Sequence, residues 1–173
     1  MIVLVAHATR LARYRRFIRT MLALSILAVV VHSLTPWYGL TFNMTTSLPG
    51  TLYFIRKGAY QWPLHPHLGD TIAFTWHGGA TYPPGVVFIK HVAGLPGDVV
   101  RVRGRDVWVN QTYIGYAKPR SLAGIALFPT AAGVIPDGHY FVATPNPNSL
   151  DSRYALAGTV PQADIIGEAY EIF

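Results

Sequence analysis

No cysteine occurs among the 173 residues, so structural disulfides are excluded; this is compatible with a place outside the cytoplasm and does not identify one. Charge is also scarce, at 13% of residues against 51% hydrophobic, and no acidic residue precedes Asp70. The net charge of +6 suggests nucleic acid until the charges are placed. Five arginines (Arg10, Arg13, Arg15, Arg16 and Arg19) fall within the first twenty residues. Setting them aside leaves nine basic against eight acidic residues, a net of +1. A nearly neutral body argues against nucleic-acid binding and confines the basic character to one short arm.

That arm runs into MLALSILAVVVHSLTPWYGL, residues 21–40, whose apolar stretch from Met21 to Val31 carries Ser25 as its single polar guest. About twenty residues cross a bilayer as a helix, and residues 17–34 nearly supply them. Neither arginine nor lysine follows Arg19 until Arg56, which orients the N-terminus toward the cytoplasm and the remaining chain away from it, with Trp37 and Tyr38 at the far interface. A cleaved signal requires a small-x-small site after the apolar run, and VHSLTPWYG lacks a convincing one. The expected organisation is a cytoplasmic arm over 1–16, a transmembrane anchor over 17–40 and an external domain over 41–173.

Beyond the anchor, TLYFIRKG (51–58), DTIAFTW (70–76), GVVFIKHVAG (85–94), DVVRVRGRDVWVNQTYIG (98–115) and GHYFVAT (138–144) read as short strands bounded by glycine or proline. No convincing amphipathic helix follows, so the expected fold class is mainly β, a sandwich or barrel. Residues 117–136 read as an irregular insertion. The arginines of VRVRGR, 100–105, alternate onto one face and read as a solvated strand edge. HPHLGD brings His65, His67 and Asp70 close in sequence but lacks a further spaced ligand, so it reads as a surface loop and no metal or cofactor is expected. The glycines of GLPGD read as turn formers, and no phosphate loop is present.

Lys90 stands out because it interrupts an apolar strand. Burying an unpaired ammonium costs several kcal/mol, so the side chain either reaches water or loses its proton more readily, becoming a base. A neutral lysine amine can deprotonate a serine hydroxyl without help from histidine or cysteine. Ser47, in the turn NMTTSLPG just before the first strand read above, is a candidate partner, although a serine in a turn is commonly no more than a turn residue.

FIKHVAGLPGDVV resembles the lysine box of the type I signal peptidase superfamily, serine peptidase family S26, with His91 where arginine is commoner. TTSLPGTLY resembles the serine box and is most similar to the TraF-type peptidases of conjugative transfer. LGDTIAFTW is similar to the family's G-D strand, and NSLDSRYALAG resembles its last box. Two departures fall in that last box: ATPNPN replaces the G-D-N common in general signal peptidases, and Gly158 arrives late. The serine-to-lysine interval of 43 residues also fits the compact TraF-like branch.

The resemblance implies a signal-peptidase/LexA-like β-fold catalytic domain behind one transmembrane helix. It implies Ser47 as nucleophile, Lys90 as general base, and the Ser47 N–H with the Thr45 hydroxyl as oxyanion donors. Ser149 and Asp151 would orient the amine, and Arg153 would pair with Asp151. The implied substrate is a precursor pilin or another exported precursor, met at the bacterial inner membrane in contact with lipid and, in a conjugative setting, with other mating-pair or secretion components. The implied branch matures pilin, and some members join its new ends into a ring. Two alternatives remain: a general signal peptidase, and a membrane-anchored scaffold module with an idle dyad. A self-cleaving repressor shares the fold and dyad but would carry a DNA-binding helical domain where this chain has an apolar segment.

Overall fold

The computed structural model describes residues 2–45, 47–59, 65–79 and 82–173, with side chains from Arg13 onward. The chain divides into two units, Met1–Trp37 and Tyr38–Phe173. The first is a helix, α1 (Ile2–Leu34). Within it Arg13–Leu34 is 22 residues long and apolar enough to cross a membrane, which at about 1.5 Å per residue corresponds to about 33 Å. Every side chain from Arg13 to Leu34 is exposed within the unit, as expected of a helix whose apolar surface is matched by lipid rather than by protein. Ser33 Oγ and Thr20 Oγ1 return their hydrogen bonds to the carbonyls of Val29 and Arg16, four residues back.

The described residues of the second unit form eleven strands: β1 (Tyr38–Phe42), β2 (Leu52–Lys57), β3 (Thr71–Thr75), β4 (Val87–Gly94), β5 (Val99–Arg103), β6 (Asp106–Val109), β7 (Thr112–Tyr116), β8 (Gly133–Val134), β9 (His139–Ala143), β10 (Val160–Pro161) and β11 (Ile165–Glu171). All the pairings are antiparallel. A seven-stranded sheet has the order β1-β2-β11-β3-β4-β9-β10, and a four-stranded sheet the order β7-β6-β5-β8. The class expected from the strand pattern, mainly β behind one apolar helix, is the class observed.

Two details differ from the sequence reading. Residues 38–40, assigned there to the apolar anchor, belong to β1, which pairs with β2 from Tyr38 opposite Arg56 to Phe42 opposite Leu52. The arginine-bearing strand β5 is interior, between β6 and β8, rather than an edge; Arg101 and Arg103 nonetheless project to solvent. The alternation correctly marked an exposed face, but a face and an edge are different surfaces of a sheet.

The core explains why β4 can hold a lysine out of water. By the two-residue period of a strand, Phe88, Lys90 and Val92 share one face and Ile89 the other. Phe88 and Val92 pack with Ile72, Phe74, Trp76, Tyr140 and Val142 in one buried cluster. Ile89 packs with Leu48, Tyr53, Ile55, Ala73 and Ala169 in another. β9 is likewise covered on both sides: Phe141 and Ala143 join Val100, Val107, Val109 and Tyr154 of the cluster under the smaller sheet. A side chain on the Phe88 face of β4 thus emerges among large apolar groups, with Trp76 stacked on Phe88 at 4.8 Å and Tyr82 meeting it edge-on at 5.2 Å. Between β2 and β3, β11 passes so close that a Cβ on Gly167 would lie 2.0 Å from the Arg56 carbonyl oxygen.

Candidate functional site

Lys90 lies opposite Ile72 in the β3–β4 ladder and is 4% exposed. Its Nζ lies 5.4 Å from the centroid of the Phe88 ring. Burial pushes its pKa from 10.5 down to about 8; the Asp151 carboxylate works against that shift and the Arg153 guanidinium with it. Next to it, His91 is held below its ordinary value by burial and then by Lys90, and its Nδ1 lies 3.0 Å from Thr71 Oγ1.

The turn bearing Ser47 is organised by a residue that the sequence analysis did not single out. The Asn43 N–H donates to the Thr51 carbonyl at 2.8 Å. Its side-chain amide donates to the carbonyls of Leu48 and Gly50 at 3.0 and 3.1 Å. Its side-chain oxygen accepts from the Thr45 N–H at 3.2 Å and the Thr45 hydroxyl at 3.0 Å. One asparagine therefore ties both arms of the turn, the Asx device by which a short polar side chain replaces a backbone partner. Leu48 anchors the turn in the core at 5% exposure, the Tyr53 hydroxyl donates to the Pro49 carbonyl, and Gly50 takes φ +77°, a region that glycine enters without steric cost.

Ser47 is half-buried and Thr45 exposed, with their hydroxyl oxygens 2.9 Å apart. The Ser47 N–H also points at Thr45 Oγ1, at 3.4 Å. Since the Thr45 proton is committed to Asn43, the geometry has Ser47 donating its hydroxyl proton to Thr45. Thr45, Ser47, Lys90 and Ser149 all line one cleft of about 540 Å³, walled by Phe42, Met44, Tyr82, Val86, Phe88 and Leu150. Its floor is the apolar face that desolvates the amine.

Asp151 and Arg153 form a fully buried, two-pronged ion pair: Nε to Oδ1 and Nη2 to Oδ2, each 2.8 Å. The Thr144 N–H and the Arg153 N–H complete the carboxylate's shell at 3.3 and 3.2 Å. The guanidinium also reaches the carbonyls of Asn146 and Ser149 at 2.8 and 3.4 Å. Room for it exists because Gly115 has no side chain; a Cβ there would lie 2.9 Å from Nη1. The expected hydrogen bond from the Lys90 amine to Asp151 is not formed among the described residues; each carboxylate oxygen already accepts two N–H groups, Oδ1 from the Arg153 backbone and Nε, Oδ2 from Arg153 Nη2 and the Thr144 backbone. Ser149, 3% exposed, has no hydrogen-bond partner for its hydroxyl among the described residues. Its Oγ is thus a buried polar atom in the lining of the lysine's cleft, the situation a satisfied fold avoids.

A β-fold joining a serine turn and a desolvated lysine across one cleft meets the sequence comparisons at this point. Residues 12–173 match the family described as signal peptidase, peptidase S26; the chain belongs to that family. Signal peptidase I U of Bacillus subtilis is 27% identical over 173 aligned residues, covering 92% of this chain and 89% of that protein. Signal peptidase I of Pseudomonas fluorescens is 30% identical over 145 residues, covering 62% of this chain. The match spans only about half, 49%, of that protein's own length. The crystal structure of a signal peptidase I from Enterococcus faecalis V583 is 26% identical, with a TM-score of 0.38, covering 60% of this chain and 96% of that one. Together with the apolar helix, the family match and the B. subtilis relative point to a membrane-anchored protein.

Proposed function

We propose that the chain is a membrane-anchored serine endopeptidase that cleaves exported precursor proteins with a Ser47–Lys90 dyad. The observation that carries this reading is the buried amine of Lys90, with a pKa of about 8, lining the same cleft as Ser47. In this mechanism Ser47 Oγ attacks the scissile carbonyl while Lys90 Nζ takes its proton and later returns one to the leaving amine. The Ser47 N–H and the Thr45 hydroxyl meet the oxyanion, for which Thr45 must turn its proton from Asn43 into the cleft. Ser149 offers its free hydroxyl to the amine. Asp151 and Arg153 hold the loop carrying Ser149 through the carbonyl contacts of the guanidinium.

The arginine asymmetry supports the arm before the apolar run in the cytoplasm, an anchor ending near Leu34, and a catalytic unit outside the inner membrane. The substrate is an extended, small-residue cleavage segment on a membrane-bound precursor. The B. subtilis relative, matched over nearly its full length, supports general signal-peptide removal. The S-L-P-G serine turn and the short serine-to-lysine interval support the narrower reading, a TraF-type peptidase acting on precursor pilin within a conjugative apparatus.

The test uses full-length protein in detergent with a signal-peptide precursor and, separately, a pilin precursor, following product masses. Processing should be lost in Ser47→Ala and in Lys90→Ala, and the double variant should be hardly worse than either alone. Equal processing by Ser47→Ala refutes the dyad and leaves a scaffold. Preference between the two precursors decides between the general and the pilin reading, and a product lighter by one water marks cyclisation.

A further inference from the structure

The segment 117–127 takes no part in the chemistry above, yet it is held in a defined shape. Ala117 and Leu127, at its two ends, are buried at 0% and 5% exposure. The Arg105 guanidinium donates to both of their carbonyls, at 3.1 and 3.2 Å. The Leu127 N–H donates to the Pro119 carbonyl at 2.9 Å, and the Ser121 N–H to that of Ile125 at 2.9 Å. The Lys118 N–H donates to the Tyr154 hydroxyl at 3.2 Å. These bonds tie the base of the loop to Arg105 and Tyr154.

The tip of the loop forms a recess of about 150 Å³ lined by Lys118, Arg120 and Ser121 together with Tyr82, Asn148 and Tyr154, and among the described residues no carboxylate lines it. Lys118 Nζ donates to the neutral Asn148 side-chain oxygen and Arg120 Nη1 to the Gly124 carbonyl at 2.9 Å. Among the described residues neither cation is in an ion pair. Two cations converging without a counter-charge set up a positive potential that a concave, partly apolar wall focuses. The recess is not remote. Tyr82, Leu122, Asn148, Ser149 and Leu150 line both it and the cleft of Ser47 and Lys90.

We propose that this recess is a specificity site that takes the carboxylate side chain of a precursor residue close to the scissile bond. The inference rests on the peptidase reading. A peptide chain crossing the cleft carries its anions as aspartate and glutamate, and the shared wall lies within reach of a side chain a few residues from the cut, at about 3.3 Å per extended residue. Arg120 offers a planar fork suited to a carboxylate; Lys118, already tied to Asn148, supplies a point charge beside it.

The experiment uses the full chain in detergent and a matched peptide series: a neutral parent, and the parent with one glutamate or one lysine walked through the positions on both sides of the cut. Each enzyme is read by its own ratio of kcat/KM, charged peptide to neutral parent. The wild-type protein should favour glutamate about tenfold at one or two neighbouring positions, between the value of an exposed ion pair and that of a desolvated charge-assisted bond. The ratio should fall toward unity in Arg120→Gln and in Lys118→Gln, and should invert in favour of lysine in Arg120→Glu. Cleavage of the neutral parent with a flat glutamate profile overturns the recess while leaving the peptidase. A glutamate preference that survives Arg120→Glu also overturns it. Failure to cleave any peptide, or equal cleavage by Ser47→Ala, overturns the peptidase reading and the recess with it.

Discussion

Changing Lys90 to arginine, and separately titrating the unaltered protein, tests the central claim that the amine works as a base. Burial brings its pKa from 10.5 to about 8. That difference makes about one amine in ten neutral near pH 7, where an exposed lysine would have about one in 3,000, a gain of about 300-fold in the competent form. The same shift corresponds to about 3 kcal/mol of differential solvation. At subsaturating precursor, kcat/KM should therefore rise about tenfold per pH unit on the acid side and level off near pH 8. Arginine stays protonated throughout, so Lys90→Arg should be as inactive as Lys90→Ala at every pH. The assay is initial-rate precursor cleavage by full-length protein in detergent, with a pH-jump control for reversible inactivation. A rate that is level from about pH 6 upward, or one still climbing beyond about pH 10, refutes a desolvated lysine as the titrating base; substantial turnover by Lys90→Arg removes Lys90 from the chemistry.

The same burial has a cost in stability. The folded pKa lies below the unfolded one, so the unfolded chain binds more protons between about pH 8 and 10.5 and stability rises with pH across that window. Lys90→Met should accordingly stabilise the protein at neutral pH by up to about 3 kcal/mol, with the gain fading toward pH 10 in urea melts. Thr45→Val should slow precursor turnover by about 10- to 1000-fold at unchanged melting temperature, the range for one oxyanion donor, and an unaltered rate would leave Thr45 a turn residue. Arg153→Met, which frees the Asp151 charge, should move the pH midpoint upward in whatever fraction remains folded by circular dichroism; a midpoint that stays put or falls contradicts the charge argument. Gly167→Ala should cost several kcal/mol and give little soluble folded protein, since backbone on β2 cannot yield to a Cβ at 2.0 Å.

Local alternation made β2, β3, β4 and β9 legible, because each places β-branched or aromatic residues between glycine or proline breaks. β1 was hidden by its neighbours: Trp37 and Tyr38 follow an apolar run and read equally well as interfacial residues. β11 was missed because IIGEAYE has the composition of neither a strand nor a helix; it becomes a strand by filling the gap between β2 and β3, a pairing across more than ninety residues that only the tertiary fold supplies. Ser47 and Lys90 entered as a pair through resemblance, and the apolar neighbours of Lys90 gave the physical reason for singling it out. Asn43 was missed although its signal was present: an asparagine two residues before a threonine, at the mouth of a Pro-Gly turn, is a candidate for capping backbone groups through its side chain. The role of Gly115, clearing the Arg153 guanidinium, has no local signature, since a glycine in a strand looks the same whether it bends, bulges or makes room.

The ion pair below the cleft bears directly on whether a base can exist there. An aspartate near an amine ordinarily favours the ammonium and would oppose burial; for Lys90, Asp151 does act in that direction. Arg153 binds both oxygens of that carboxylate at 2.8 Å, and its charge opposes the carboxylate's pull on the amine. What remains is desolvation by the Phe88 face of β4, which has the larger effect and sets the direction of the shift. The arginine thus does two things with one geometry: it spans the Asn146 and Ser149 carbonyls, shaping the loop that brings Ser149 into the cleft, and it opposes the carboxylate charge that favours a protonated lysine. A lysine at this register beside an unpaired aspartate would feel the carboxylate's pull without that opposition, and its pKa would lie higher.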